Sequence, residues 1–150
     1  MAVQLEYEFS DGQDHKGNNT TTIGNTVNQM NDANSHKSGW HTITHNNNIA
    51  AEIGGMTFVA EVCTENVAGG NLTVQLKTAA TNNLNATGTV LAAISINNGA
   101  AVGNRYAVIL PAGTQRNKYL GAVCVNSGNV SAANLNVRLT TGKGAESPSK

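Results

Sequence analysis

Residues 72–77 alternate without a break, with Leu72, Val74 and Leu76 on one side and Thr73, Gln75 and Lys77 on the other. Successive side chains of a β-strand point to opposite faces, so this segment predicts a strand with one face for an apolar interior and one for water or a partner. The alternation returns at Leu135, Val137 and Leu139 against Asn136, Arg138 and Thr140. Between the first of these strands and the second, and just before them, further apolar runs predict strands at 56–63, 89–96, 106–110 and 119–125, beside 71–78 and 135–140. Each is bounded by breakers: Asn66 with Gly69-Gly70, Asn82-Asn83 with Gly88, Asn97-Asn98-Gly99 with Gly103, Pro111 with Gly113, and Asn126 with Gly128. Short strands at that spacing predict an all-β sandwich or barrel, with Phe58 and Val62 joining the two alternating strands in its core.

The first third reads differently. Residues 3–9 place Val3, Leu5, Tyr7 and Phe9 opposite Gln4, Glu6 and Glu8, which predicts a short strand or an extended arm. Its apolar edge must rest on the chain's own sandwich or on a neighbouring subunit, because a lone strand is not stable in water. Residues 10–48 are rich in Gly, Asn, Asp, Thr and Ser, with apolar anchors only at Ile23, Val27, Met30, Trp40 and Ile43. Such a segment predicts coil and is the expected interaction region; only 40–44 has the residues of a strand, stopped by Asn46-Asn47-Asn48. Helix has little support, since 82–86 and 131–134 offer at most a single turn. The expected organisation is an N-terminal arm and loop region over 1–50, packing on the core or on neighbours, a β-sandwich core over 51–141, and a flexible tail over 142–150.

Composition narrows the use of this scaffold. A length of 150 residues suits one domain able to bury roughly 68–70% of its unfolded surface. Nine basic and nine acidic residues cancel, and charged residues make up only 12% of the chain. The basic residues are too scattered to track phosphates, so no nucleic-acid partner is expected. Near-zero charge weakens self-repulsion, which suits a protein that works in an assembly. No apolar stretch approaches the ~18 residues of a membrane span, and neither membrane insertion nor an export signal is expected. The glycosylation patterns at Asn71, Asn85 and Asn129 are then products of an Asn- and Thr-rich chain. Cys63 and Cys124 each lie in an apolar run and read as buried free thiols, although a bridge is geometrically possible if their strands face one another.

Candidate chemistry is sparse. His41 and His45 would share a helix face, but their neighbours favour a strand, where positions four apart lie about 13 Å from each other. His15 and His36 sit in polar loops without a Cys or acidic partner at ligand spacing, so no metal or cofactor is expected. Asp11 and Asp14 lack the ligand series of a calcium loop and read as Asx-type turn caps. No nucleophile elbow, phosphate loop or Cys–base pair occurs, and the expectation is a protein that is not an enzyme. Arg116 and Lys118, after Pro111-Ala112-Gly113-Thr114, sit at the tip of a hairpin-like connection; they either contact an acidic partner or keep a charged turn soluble.

Two regions together resemble a known family. Phe9-Ser10-Asp11-Gly12-Gln13, and the stretch from Tyr106 through Leu110-Pro111-Ala112-Gly113-Thr114, Lys118-Tyr119-Leu120 and Val137-Arg138-Leu139, resemble the capsid cement (head decoration) proteins of tailed bacteriophages. The middle is similar as well, in the Gly-led strand Gly69-Gly70-Asn71-Leu72-Thr73-Val74-Gln75-Leu76-Lys77-Thr78. Residues 20–55, with Trp40, depart from the family pattern by inserting a long Asn/His/Gly segment. The resemblance implies a jelly-roll-like β-sandwich on the outer surface of the mature phage head, made in the host cytoplasm and stabilising contacts between major capsid protein subunits. It also implies a homo-oligomer, a trimer before a dimer. Interface candidates are Leu5, Tyr7, Phe9, Trp40, Arg116 and Lys118. The competing expectation is a carbohydrate-binding or adhesive β-sandwich module of a virion fibre.

Overall fold

A computed structural model of the chain describes residues 6–16, 26–29, 40–42, 53–80, 88–117 and 119–141; at 6–8, 11, 13, 26–29 and 40–42 it describes the backbone alone. The described residues are all β, with no helix. The strands are β1 (Glu6–Asp14), β2 (Thr26–Gln29), β3 (Trp40–Thr42), β4 (Thr57–Val62), β5 (Ala68–Ala79), β6 (Thr89–Ile96), β7 (Arg105–Ile109), β8 (Tyr119–Ala132) and β9 (Asn134–Thr140).

They form two antiparallel sheets. One has the order β1-β9-β4-β7 and the other β2-β8-β5-β6, with β3 also paired to β8. β2 lies along Asn126–Val123 and β3 along Gly121–Tyr119 of β8, so the two act as one interrupted edge strand. Counted that way, the first strand pairs with the last, the second with the next to last, and so inward through β4–β7 to β5–β6. That nesting is one long antiparallel hairpin wrapped around a barrel, and β4–β9 and β5–β8 pairing closes each sheet. The fold is a jelly-roll β-sandwich.

The inner faces carry the predicted core. Leu72, Val74, Leu76, Leu135, Val137, Leu139, Phe58 and Val62 are all buried. Phe9 joins them: its ring meets Phe58 edge-on, with centroids 6.5 Å apart and planes at 65°. Both cysteines are free thiols, as expected; Cys124 is buried as expected too, whereas Cys63, just past the end of β4, is only half-buried.

Two expectations about the chain's organisation are corrected. The segment after Phe9 is not coil at its start, because β1 continues through Ser10 to Asp14 and pairs with β9 down to Asn134. Its polar residues are accommodated by register shifts at Glu8/Ser10 and Asp11/Gln13, with Gly12 in the left-handed region at φ 79°. β8 likewise does not stop at Val125. It runs on through Asn126 and Gly128 because β5 supplies Gly69 and Gly70 opposite. A Cβ built on Gly69 would collide with the Asn129 carbonyl, and its φ of 92° independently favours glycine. The described parts of 1–50 therefore belong to the sandwich.

Candidate functional site

β4 is the strand on which the candidate site is built. It runs between β9 and β7, and all six of its residues are buried. Phe58, Ala60 and Val62 belong to the core between the sheets. The alternation turns Thr57, Val59 and Glu61 to the outer face. Glu61 stands in register with Arg105 of β7 and Asn136 of β9, which lines up a carboxylate, a guanidinium and a carboxamide across three strands.

Beyond Val62 the chain turns sharply. Glu65 N–H donates to Cys63 O at 2.7 Å, and the residue between them, Thr64, has φ 70°. This is a γ-turn of the rarer, positive-φ kind, and it is strained for a β-branched residue. Ladder bonds anchor it on both sides: Cys63 N–H to Asn134 O at 2.9 Å, Val62 N–H to Asn104 O at 2.9 Å, and Gly103 N–H to Val62 O at 2.8 Å. Between the turn, the 102–103 turn and the outer row opens a cleft of about 270 Å³, lined by Glu61, Cys63, Thr64, Val102, Arg105 and Asn136 among others. Glu61 is only 5% exposed, and its Oε1 is buried with no hydrogen-bond partner. A buried acceptor left without a donor is costly to the fold.

A second polar cluster closes the sandwich where β1 ends. Ser10 Oγ donates to Leu135 O at 2.7 Å, so its 2.8 Å contact with His15 Nε2 requires the imidazole to be the donor. Asn126 Nδ2 donates to His15 O at 3.0 Å, and Cys124 Sγ donates to Asn126 Oδ1 at 3.2 Å. Burial pushes the His15 pKa down to about 4, opposed by the Asp14 carboxylate, and pushes the Cys124 thiol up to about 12. Serine and histidine adjacency suggests a nucleophile and base, but the proton sits the wrong way round. The histidine donates to the hydroxyl and the hydroxyl is spent on a backbone carbonyl, so this cluster locks β1 to β9 and β8. Asp14 Oδ1 meanwhile accepts from Lys16 N–H at 3.2 Å and Ala133 N–H at 3.0 Å, the Asx-type turn expected of it. Among the described residues no three His, Cys, Asp or Glu side chains approach one another as metal ligands would.

The structure relocates several interface candidates. Phe9 is 1% exposed and belongs to the core, so it offers nothing to a partner. Arg116 is 2% exposed and is no free tip. The Thr78 hydroxyl accepts from Asn117 N–H and donates to Tyr119 O, drawing the connection onto β5, and Arg116 Nε donates to Asn117 O at 3.1 Å. Tyr7 and Trp40 are placed by backbone alone, opposite Leu139 and Gly121. Leu5 and Lys118 lie outside the described residues. Exposed apolar side chains are found elsewhere, at Val90 on β6, Ile109 on β7 and Val102 in the turn between these strands, with Ile109 70% exposed. β6 and β7 are the adjacent edges of the two sheets and touch.

No protein-family model matches the chain, and no curated protein matches it. Solved structures that match the chain include two of low identity. One is the crystal structure of PirA, with 11% identity, 94% of each chain covered and a TM-score of 0.40. The other is the structure of infectious bursal disease virus Gx strain, with 10% identity, 97% of this chain and 33% of that chain covered, and a TM-score of 0.41. At these identities and scores neither assigns a family.

The cleft escaped sequence reasoning because its parts are far apart in the chain. In the sequence Glu61 is a single charged position in the 56–63 run, which suggests a solvent face, yet it is buried, and only the β4–β7 and β4–β9 registers bring Arg105 and Asn136 beside it. The strained turn had no signal either, since Thr64 is not a residue that announces a positive φ.

Proposed function

We propose that this chain is a non-enzymatic capsid cement protein that binds the outer surface of a mature phage head and stabilises contacts between major capsid protein subunits. The observation that carries the reading is the β6/β7 side of the jelly roll. There β7 pairs with β4 alone among the described strands, leaving an open edge, and Ile109 stands 70% exposed on it. An uncovered edge strand with an exposed large apolar residue is a template for pairing with another chain. Val90 on the neighbouring edge extends the apolar surface. The sequence resemblance supplies the partner, the major capsid protein, and the order of preference for a trimer over a dimer. It also supplies the place of action, the virion surface, with synthesis in the host cytoplasm. Many identical sites on a head let modest contacts add through avidity.

The test is addition of the purified protein to mature heads lacking it. Saturable binding and raised resistance to heat or chelator are expected, because a ligand that binds only the assembled lattice stabilises it by mass action. Ile109→Asp should leave the folded protein intact and weaken head binding at least tenfold. Undiminished binding by that variant moves the interface away from β7, and no binding by the wild type ends the cement reading.

A further inference from the structure

We propose that Asn98 is a site of spontaneous deamidation whose rate is set by the turn that holds it, so that the connection between β6 and β7 carries a slow, fold-gated covalent change. This does not depend on the capsid reading. Asn98-Gly99 is the one Asn-Gly pair in the 150 residues, and both residues are exposed. The chemistry needs only water. The Gly99 amide nitrogen gives up its proton and bonds to Cγ of Asn98, and the Cγ–Nδ2 bond breaks to release ammonia. Water then opens the five-membered imide at either carbonyl, leaving aspartate or isoaspartate at 98. Glycine is the favourable successor because no Cβ hinders the approach of its nitrogen.

The native turn works against that attack. Ala100 N–H donates to Asn97 O at 3.0 Å, Gly99 has φ 92°, and Asn98, like every described non-glycine residue but Thr64, keeps a negative φ. Residues 97–100 therefore form a type II turn with Asn98 and Gly99 at its centre. That geometry swings the Gly99 nitrogen away from the Asn98 Cβ, whereas ring closure needs the two on one side. The same Gly99 N–H is committed to Val67 O at 2.8 Å, and Asn98 N–H is clamped by Asn71 Oδ1 at 2.8 Å. Reaction waits for a local opening that breaks the Val67 bond and turns the 98–99 peptide, an event confined to an exposed loop that leaves both sheets in place. Asn126, followed by the small Ser127, is the opposite case: it is fully buried, with Nδ2 on His15 O and Oδ1 accepting from Cys124, so it is expected to be inert. The isoaspartate product lengthens the main chain by one carbon, which the turn and its Val67 bond do not accommodate. Either product adds one negative charge to a chain of formal net charge zero.

The test is incubation of the intact protein at body temperature and mildly alkaline pH, native and in guanidinium chloride, with acidic variants separated by isoelectric focusing and assigned by peptide mapping. In denaturant the first acidic species should carry aspartate or isoaspartate at 98, and Asn98→Gln should remove it. In the native protein the same conversion should proceed over weeks, at least tenfold more slowly. Asn71→Ala, a change at an exposed position that removes the acceptor of Asn98 N–H, should raise the native rate several-fold with the protein still folded. An unfolded chain that reacts first at another asparagine, or a native protein whose Asn98 stays intact over months, would overturn the site. Equal rates with and without denaturant, or a folded Asn71→Ala protein that is no faster, would overturn the gating by the turn.

Discussion

Acidification should destabilise this sandwich through His15, and the structure sets the direction and the rough size of the effect. The imidazole is 7% exposed, donates through Nε2 to Ser10 and has its pKa pushed from 6.5 down to about 4, chiefly by burial. Above pH 6.5 the ring is neutral in folded and unfolded chains alike, and the full stability is present. As pH falls below 6.5 the unfolded chain takes up the proton first, whereas the folded one resists until about pH 4. Stability is therefore lost across that window at ~1.4 kcal/mol per pH unit, about 2 kcal/mol by pH 5 and about 3 kcal/mol by pH 4. Urea denaturation of wild type and His15→Gln at pH 7.5, 6 and 5 isolates this contribution, because the other histidines and the carboxylates titrate in both. The wild type should lose about 2 kcal/mol more than the variant between pH 7.5 and 5. Parallel losses in the two proteins, or an imidazole resonance of His15 titrating near 6.5, would refute the reasoning.

Other expectations follow from packing and reactivity. Leu76→Ala, at a fully buried site on β5, should cost about 2–5 kcal/mol by chemical denaturation, and a loss under about 0.5 kcal/mol would mean that the register is wrong. Gly69→Ala should cost at least about 2 kcal/mol, since the added methyl meets the Asn129 carbonyl and the φ disfavours it; a neutral result would show that β5 and β8 separate at little cost. Cys124, with its thiol pushed up to about 12, should resist alkylation in the native protein while half-buried Cys63 reacts first, as peptide mapping after iodoacetamide would show. Ile109→Asp should change stability by less than about 0.5 kcal/mol, because the side chain it replaces already faces water.

What the sequence by itself determined was local and periodic. Alternation at 72–77 and 135–140 gave the strands, their inward faces and the all-β class, because the two-residue period of a strand is written directly in neighbouring side chains. Asn97-Asn98-Gly99 and Gly103 marked the turn between β6 and β7, whereas Gly69 and Gly70, read as breakers, fall inside β5. The same rules failed where a breaker is tolerated by a distant partner: Asn126 and Gly128 continue β8 only because Gly70, Asn71 and Leu72 lie across from them, and Ser10 to Asp14 continue β1 only because β9 accepts their bulges. Charge and aromaticity misled in a similar way. Phe9 and Arg116 carry the residue types of an interface, yet contacts made more than thirty positions away, with Phe58 and through Thr78, bury them. The nesting of the strands, the row of Glu61 with Arg105 and Asn136, and the donor-inverted Ser10–His15 pair were decided by tertiary structure alone. Register between strands is a property of two segments at once, and side-chain burial depends on what the rest of the chain brings against each position.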